Sequence, residues 1–468
     1  MEVLMFKKFL AVMFVLTLAL GAVATPAKAA VPVNYESSIQ VRNLTGTAGT
    51  ITLTFYDLSG TVVGTPLTDA IAANETKSYY QSTMPVASGF NGSVVISSDV
   101  EIAAMSNLVG LSAAASPISY AAYSGFSGGA PAAYLPTLFK DNYGYNTFFY
   151  VQNTGVADTA VTVNYSDGTT ANIAAIAPGQ SVIVNQKTET HTPKVFSATL
   201  TSTVAPIAVT VVEEGSTLFS YTGFGSGAAT PMMPLINQNN YGYFTGVQIM
   251  NTGTASTAVT VSYTPSLGGT ACTETRTLPA GTSKTFSQFV FYQSQDESGD
   301  PAFATNCVMG QTFVGSAKVT ANTAAAPLVA VVNQLQPTQV KGGAYVAFDP
   351  AEGGATIVYP LIMDRNWGYF TSHSIVNVGT TQIAAGALSC LFTGTDKTGP
   401  VSTTITNAAA IPVDASWTLN HQGLLGDGFV GGATCTGPVG ALLVGTSNQL
   451  GASAGVDTLL VSEGFIVN

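Results

Sequence analysis

The chain has 468 residues, with 14 Lys and Arg against 25 Asp and Glu, and a formal net charge of −11. So few cations cannot neutralise a row of phosphates, which excludes nucleic acid as a partner. Only 8% of the residues are charged while 46% are hydrophobic; ordinary soluble proteins carry about 25% charge. The chain can therefore fill cores, and its exterior must be made of Thr, Ser, Asn, Gln, Gly and Ala, with little charge to oppose self-association.

The first thirty residues read as an export signal. Lys7 and Lys8 precede an apolar run over residues 9–22, Pro26 ends it, and Ala27-Lys28-Ala29 places small residues at −3 and −1 of a cleavage site. The run is short for a membrane-crossing helix, which needs about 20 residues. Cleavage after Ala29 removes three lysines and one glutamate, taking the 14 basic and 25 acidic residues to 11 and 24. No later segment reads as a transmembrane helix. The mature chain is expected to be extracellular or at the cell surface, without a membrane-spanning segment.

Internal repetition dominates the rest of the chain. Asn142-Tyr143-Gly144-Tyr145, Asn240-Tyr241-Gly242-Tyr243 and Asn366-Trp367-Gly368-Tyr369 each stand a few residues after a proline, namely Pro136, Pro234 and Pro360. Eleven residues beyond each leading Asn comes another, at Asn153, Asn251 and Asn377. A first copy of that marker is Asn43, with a shortened upstream element at Asn34-Tyr35. Alternating Thr/Val stretches come after these markers at residues 50–56, 160–165 and 258–263, with a weaker one at 385–392. Period-two alternation is what a strand with one buried face produces.

Pro- and Gly-containing turns come next, at residues 177–181 and 279–283, with looser versions at 73–76 and 412–416. The second half of each unit reads as a hairpin, for example residues 196–201 leading into 206–212. An aromatic strand then closes three copies, at residues 120–126, 219–224 and 344–348. Six or seven short strands per unit of about a hundred residues imply an all-β immunoglobulin-like antiparallel sandwich. The expected architecture is a signal peptide (1–29) and four modules, at 30–130, 131–230, 231–356 and 357–468. Short Gly-rich linkers between them suggest a rod or string, with packed junctions as an option.

Cys272 and Cys307 bracket an insertion in the third unit, and Cys390 and Cys435 lie in the fourth. An even count in an exported chain points to disulfides, and pairing within each unit is the simplest of three connectivities. The Asn-aromatic-Gly-Tyr element has two readings. Tyr143, Tyr145, Tyr241, Tyr243, Trp367 and Tyr369 are candidates for stacking on sugar rings. Alternatively they pack module junctions, with Gly permitting the turn; recurrence beside each linker favours that reading.

Other chemistry is thin. Two Gly-x-Ser-x-Gly matches, Gly125 to Gly129 and Gly451 to Gly455, have no helix after the Ser, which a nucleophile elbow requires. His191, His373 and His421 are scattered singly, and the acidic residues are dispersed apart from Glu213-Glu214. No catalytic, metal or cofactor site is expected.

The Val-x-Asn-x-Gly pattern, the Thr/Val strand and the Pro-x-Gly-x-Ser/Thr turn resemble bacterial cell-adhesion-related Ig-like repeats. They are similar too to repeat modules of surface proteins from filamentous green non-sulfur bacteria. The resemblance is closest over residues 151–181 and 249–283. It implies a sandwich fold in modules of a kind that serve as adhesins, spacers or appendages of exported enzymes, and no catalytic domain accompanies the repeats here. Low charge, the module array and the absence of catalytic chemistry point to a subunit of a surface layer, sheath or extracellular fibre, with a carbohydrate- or host-binding adhesin using the loop aromatics as the alternative. Self-association, cell-envelope components and glycans are the expected partners.

Overall fold

Strands form where the Thr/Val alternation runs, because β-branched side chains suit a pleated surface with one buried side. Thr159–Tyr165 turns Thr159, Val161, Val163 and Tyr165 inward and its other residues outward. Thr257–Gly268 does the same with Thr257, Val259, Val261 and Tyr263, and Gly49–Asp57 with Ile51, Leu53 and Phe55. The computed structural model describes residues 32, 34–287, 291, 299–322, 326–453 and 456–467. The expected export segment lies outside the described residues. Among these residues no helix is long and apolar enough to cross a membrane.

Eight antiparallel sheets stack in four pairs. In the second module one sheet runs Thr170–Ile176, Thr159–Tyr165, Val195–Ser202, Ala132–Phe139. Its partner runs Ser181–Asn185, Asn146–Asn153, Ile207–Glu214, Leu218–Thr222. The other modules repeat this plan, so the fold is a tandem series of β-sandwiches. One local expectation is corrected. The strands read as a hairpin, such as Val195–Ser202 and Ile207–Glu214, lie in opposite sheets, and the connection arches over the core. Both strands are heavily apolar, and crossing the sandwich buries both inner faces. The true hairpin is the next one, Ile207–Glu214 with Leu218–Thr222.

The repeated sequence markers have structural causes. Pro136, Pro234 and Pro360 each fall within a register shift of their strand, where a residue without an N–H is tolerated. Asn43, Asn153, Asn251 and Asn377 are buried and knot the turn after their strand. Asn153 Nδ2 donates to Ala157 O and Ile176 O, both at 2.8 Å, and its Oδ1 accepts from Gly155 N at 2.9 Å. The other three copies make the same set of bonds. A buried amide with matched partners satisfies backbone groups that the turn would otherwise strand. The disulfides are Cys272–Cys307 and Cys390–Cys435, one within each of the last two modules.

The modules do not form a string. The last strand of each inner sheet (Pro117–Ser124, Leu218–Thr222, Lys341–Val346 and Leu459–Glu463) packs against its counterparts, and the fourth returns to the first. Apolar seams join first to second module through Ala121, Val212 and Leu218, and fourth to first through Met105, Ala122, Leu361 and Leu460. The second and third share one core across Val331 and Ala344, and the third and fourth share another across Leu459 and Val461. The four sandwiches close into a ring. Gly342 and Gly343 make room at its centre: a Cβ on Gly343 would lie 2.5 Å from Val461 Cγ2, and one on Gly342 would lie 2.5 Å from Thr217 Oγ1.

Candidate functional site: an aromatic face on the ring

The four closing strands run in one direction about the axis, as the bonds at their two ends show. At their starts Asp457 accepts from Leu218 N at 3.0 Å and Gly342 N at 2.9 Å, while its own N donates to Ile118 O at 3.1 Å. All four modules meet at this one residue. At the far ends Glu463 accepts from Ser124 Oγ at 2.7 Å and Val346 N at 2.8 Å. Burial pushes the Asp457 carboxyl up to about 8 against the opposing pull of its backbone donors, and it raises Glu463 as well.

Each Asn-aromatic-Gly-Tyr element is a two-residue hairpin tip. The flanking pair exchanges both backbone bonds, for example Asn142 N to Tyr145 O at 3.0 Å and Tyr145 N to Asn142 O at 2.9 Å. The two central residues are left-handed: Tyr143 and Gly144 at φ 50° and 90°, Tyr241 and Gly242 at 49° and 80°, Trp367 and Gly368 at 50° and 81°. This is the backbone of a type I′ turn, whose first central position normally takes Asn, Asp or Gly. A bulky aromatic there is an outlier that costs roughly 1–2 kcal/mol. The chain makes this unfavourable choice three times.

The two aromatics of each tip part company. Tyr143, Tyr241 and Trp367 are 94%, 91% and 95% exposed. Tyr145, Tyr243 and Tyr369 are half-buried at the base. Tyr145 shares bonds with Ser216 Oγ and Thr217 Oγ1 at 2.9 and 2.7 Å, Tyr243 packs on the third core, and Tyr369 meets Tyr120 of the first module edge-on at 6.2 Å. The junction-packing and exposed-platform readings thus each describe one ring of the pair.

The three tips share one face. Each leans on the segment that leads into its closing strand: Tyr145 on Ser216 and Thr217, Tyr241 O on Gln336 Nε2 at 3.2 Å, and Gly368 O on Ala452 N at 3.1 Å. Those segments are where the closing strands start, at the Asp457 end of the axis. Burial raises the phenols of Tyr145, Tyr243 and Tyr369, and the Asp457 charge raises each of them further. The bases of the three tips therefore gather around Asp457, with the exposed rings beyond them. The described residues of the first module include no such tip; its Tyr35 lies against Phe148 at 6.0 Å and donates to Glu214.

The remaining candidates fall elsewhere. His373 and His421, far apart in sequence, meet in the fourth core with Nδ1 and Nε2 2.9 Å apart. Burial lowers both, His421 to about 4. His373 also lies with Cys390 and Cys435 in a cluster whose ligand atoms span 4.8 Å, but the sulfurs are bonded to each other and supply no thiolate. His191 bonds Asp167 at 2.9 Å in the second module. Gly451 ends a strand, and part of its Gly-x-Ser-x-Gly match lies outside the described residues.

Sequence reasoning found the tip motif and noted Glu213 only as half of an adjacent acidic pair, and it missed the axial carboxylates Asp457 and Glu463. A signal was present: in a chain with 8% charge, a carboxylate set among apolar residues, as in Gly455-Val456-Asp457-Thr458-Leu459-Leu460-Val461-Ser462-Glu463, is conspicuous. No protein-family model and no curated protein matches this chain. Among solved structures, that of Thermotoga maritima 1070 aligns with 21% of this chain and 96% of its own, at 18% identity and a TM-score of 0.17. A likeness so slight carries no argument.

Proposed function

We propose that this is an exported, non-enzymatic cell-surface protein whose ring of sandwiches is a rigid mount for an adhesive face. The observation that carries this reading is the exposed aromatic placed at the left-handed position of three separate tips on one side of the ring. Local backbone preference argues against those residues, and the rings contribute little packing in return, so their use lies outside the molecule. The N-terminal signal, the resemblance to adhesion-related surface repeats and the two disulfides fit an oxidising, extracellular setting.

A second reading, a subunit of a surface layer or sheath, draws on a different feature. Gly399–Thr406 is an edge strand paired on one side only, and its outward residues are exposed Pro400, Ser402, Thr404 and Thr406. An uncharged free edge is a template for pairing with another copy. Fractionation with surface labelling, followed by envelope binding of the wild-type protein and a variant lacking the three exposed rings, tests the adhesive reading. Surface location with tip-dependent binding supports it. Cytoplasmic retention, or binding indifferent to the tips, overturns it, and ordered arrays of the purified protein in electron micrographs would favour the lattice.

A further inference from the structure

We infer that the partner of the aromatic face is an uncharged polysaccharide, held by one sugar ring stacked on each of Tyr143, Tyr241 and Trp367. The inference rests on the reading of this face as the contact surface.

The shape of the platforms selects the class of ligand. A protein partner is normally held by side chains that fill desolvated pockets at the centre of a patch. Here each ring stands alone at a hairpin tip and is more than nine-tenths exposed. A bare ring offers a flat apolar plane, and the matching object is the C–H face of a pyranose, whose hydroxyls point sideways and stay wet. The amides that precede the second and third rings donate within the fold, Asn240 Nδ2 to Asn237 Oδ1 and Asn366 Nδ2 to Gly428 O, both at 3.0 Å, so the contact is carried by the exposed rings.

Charge narrows the class further. Lys140 and Asp141 stand side by side before the first tip, burial keeps the Asp457 carboxyl beneath the tips protonated up to about 8, and the Arg365 guanidinium beside the third tip is bonded to Asp364 at 3.0 Å. These groups leave no surplus of positive charge to hold an anionic glycan, so a neutral chain fits better.

Geometry supplies the affinity. One exposed stacking contact is weak. Three contacts on tips locked by paired backbone bonds and a packed second tyrosine lose little freedom on binding. A polymer that repeats the same sugar can engage them together, and linked contacts raise avidity by about 10²–10⁴-fold. The face is thus built for a polymer and indifferent to a monosaccharide.

The test uses the full mature chain and the variants Tyr143→Asn, Tyr241→Asn and Trp367→Asn, singly and together, because Asn suits the left-handed turn and keeps the fold. Binding is measured to microcrystalline cellulose, chitin and insoluble mannan, with a monosaccharide titration as control. The expected result is retention on at least one polymer, a loss of about tenfold for each single variant and about 100-fold or more for the triple variant, and no measurable monosaccharide binding. Retention unchanged in the triple variant, or no retention on any neutral polymer, overturns the inference. Cell envelopes before and after periodate oxidation separate this failure from that of the underlying reading. Tip-dependent binding that survives periodate sinks the polysaccharide and keeps the contact face; binding that ignores the tips sinks both.

Discussion

Glu213 gives the ring a pH dependence whose sign is fixed by its surroundings. The side chain lies fully buried where the second module meets the third. Oε2 accepts from Asn333 Nδ2 at 2.7 Å, and Oε1 has no partner among the described residues. Burial pushes the carboxyl from 4.5 to about 8, and the Asn333 bond opposes this only in part. The folded ring therefore keeps a proton that the unfolded chain releases near pH 4.5. The stabilisation is fully present below that value and is lost as pH rises through about 8. Each pH unit separating the folded and unfolded values is worth about 1.4 kcal/mol, which sets a ceiling of roughly 5 kcal/mol. Asp457 and Glu463, raised by the same cause at other seams, act in the same direction. Urea unfolding followed by aromatic fluorescence from about pH 5 to 9 should show the wild-type midpoint falling. Glu213→Gln should match wild type near pH 5 and exceed it near pH 9, with a shallower slope between. A variant slope equal to wild type, or a wild-type midpoint that climbs with pH, would refute the reasoning.

Three further outcomes are expected. The disulfides close loops with sequence separations of 35 and 45 residues, and each should stabilise by about 4 kcal/mol in the chain-entropy model, read as the drop in urea midpoint on Cys→Ala pair replacement; an unchanged midpoint would count against it. Asn153→Ala strands the buried Ile176 carbonyl and removes part-buried bonds to Ala157 O and Gly155 N and should cost roughly 1–3 kcal/mol in chemical denaturation, where an exposed Asn→Ala control should cost almost nothing. Gly343→Val puts side-chain atoms into Val461; the seam between third and fourth modules should become a site of limited proteolysis while far-ultraviolet circular dichroism stays unchanged, and resistance equal to wild type would argue against close packing there.

How much of the fold is legible in the sequence depends on how far each signal reaches along the chain. Thr159–Tyr165 and Thr257–Gly268 announce themselves because alternation is local, and the Asn markers do so because each knots a turn a few residues away. The cysteine pairs are legible from count and module membership. Ring closure is not, since it depends on contacts such as Leu218 with Asp457, 239 residues apart. The fourth closing strand, Leu459–Glu463, escapes notice because it lacks the aromatics that mark the other three. Alternation also cannot say which sheet a strand joins, so Val195–Ser202 and Ile207–Glu214 look like a hairpin when they face each other across a core. At the tips the motif is plain, but only the backbone separates the exposed Tyr143 from the packed Tyr145.

Small-angle X-ray scattering of the mature protein bears most directly on the claim that four sandwiches close so that three aromatic tips share a face. A compact body of about 440 residues has a radius of gyration of about 22 Å, whereas four hundred-residue modules strung in line would give about 40 Å. A value near about 22 Å with a single symmetric distance distribution is the predicted result. A value near about 40 Å with an extended tail would mean that the modules lie in a row, the tips point apart, and the shared face does not exist.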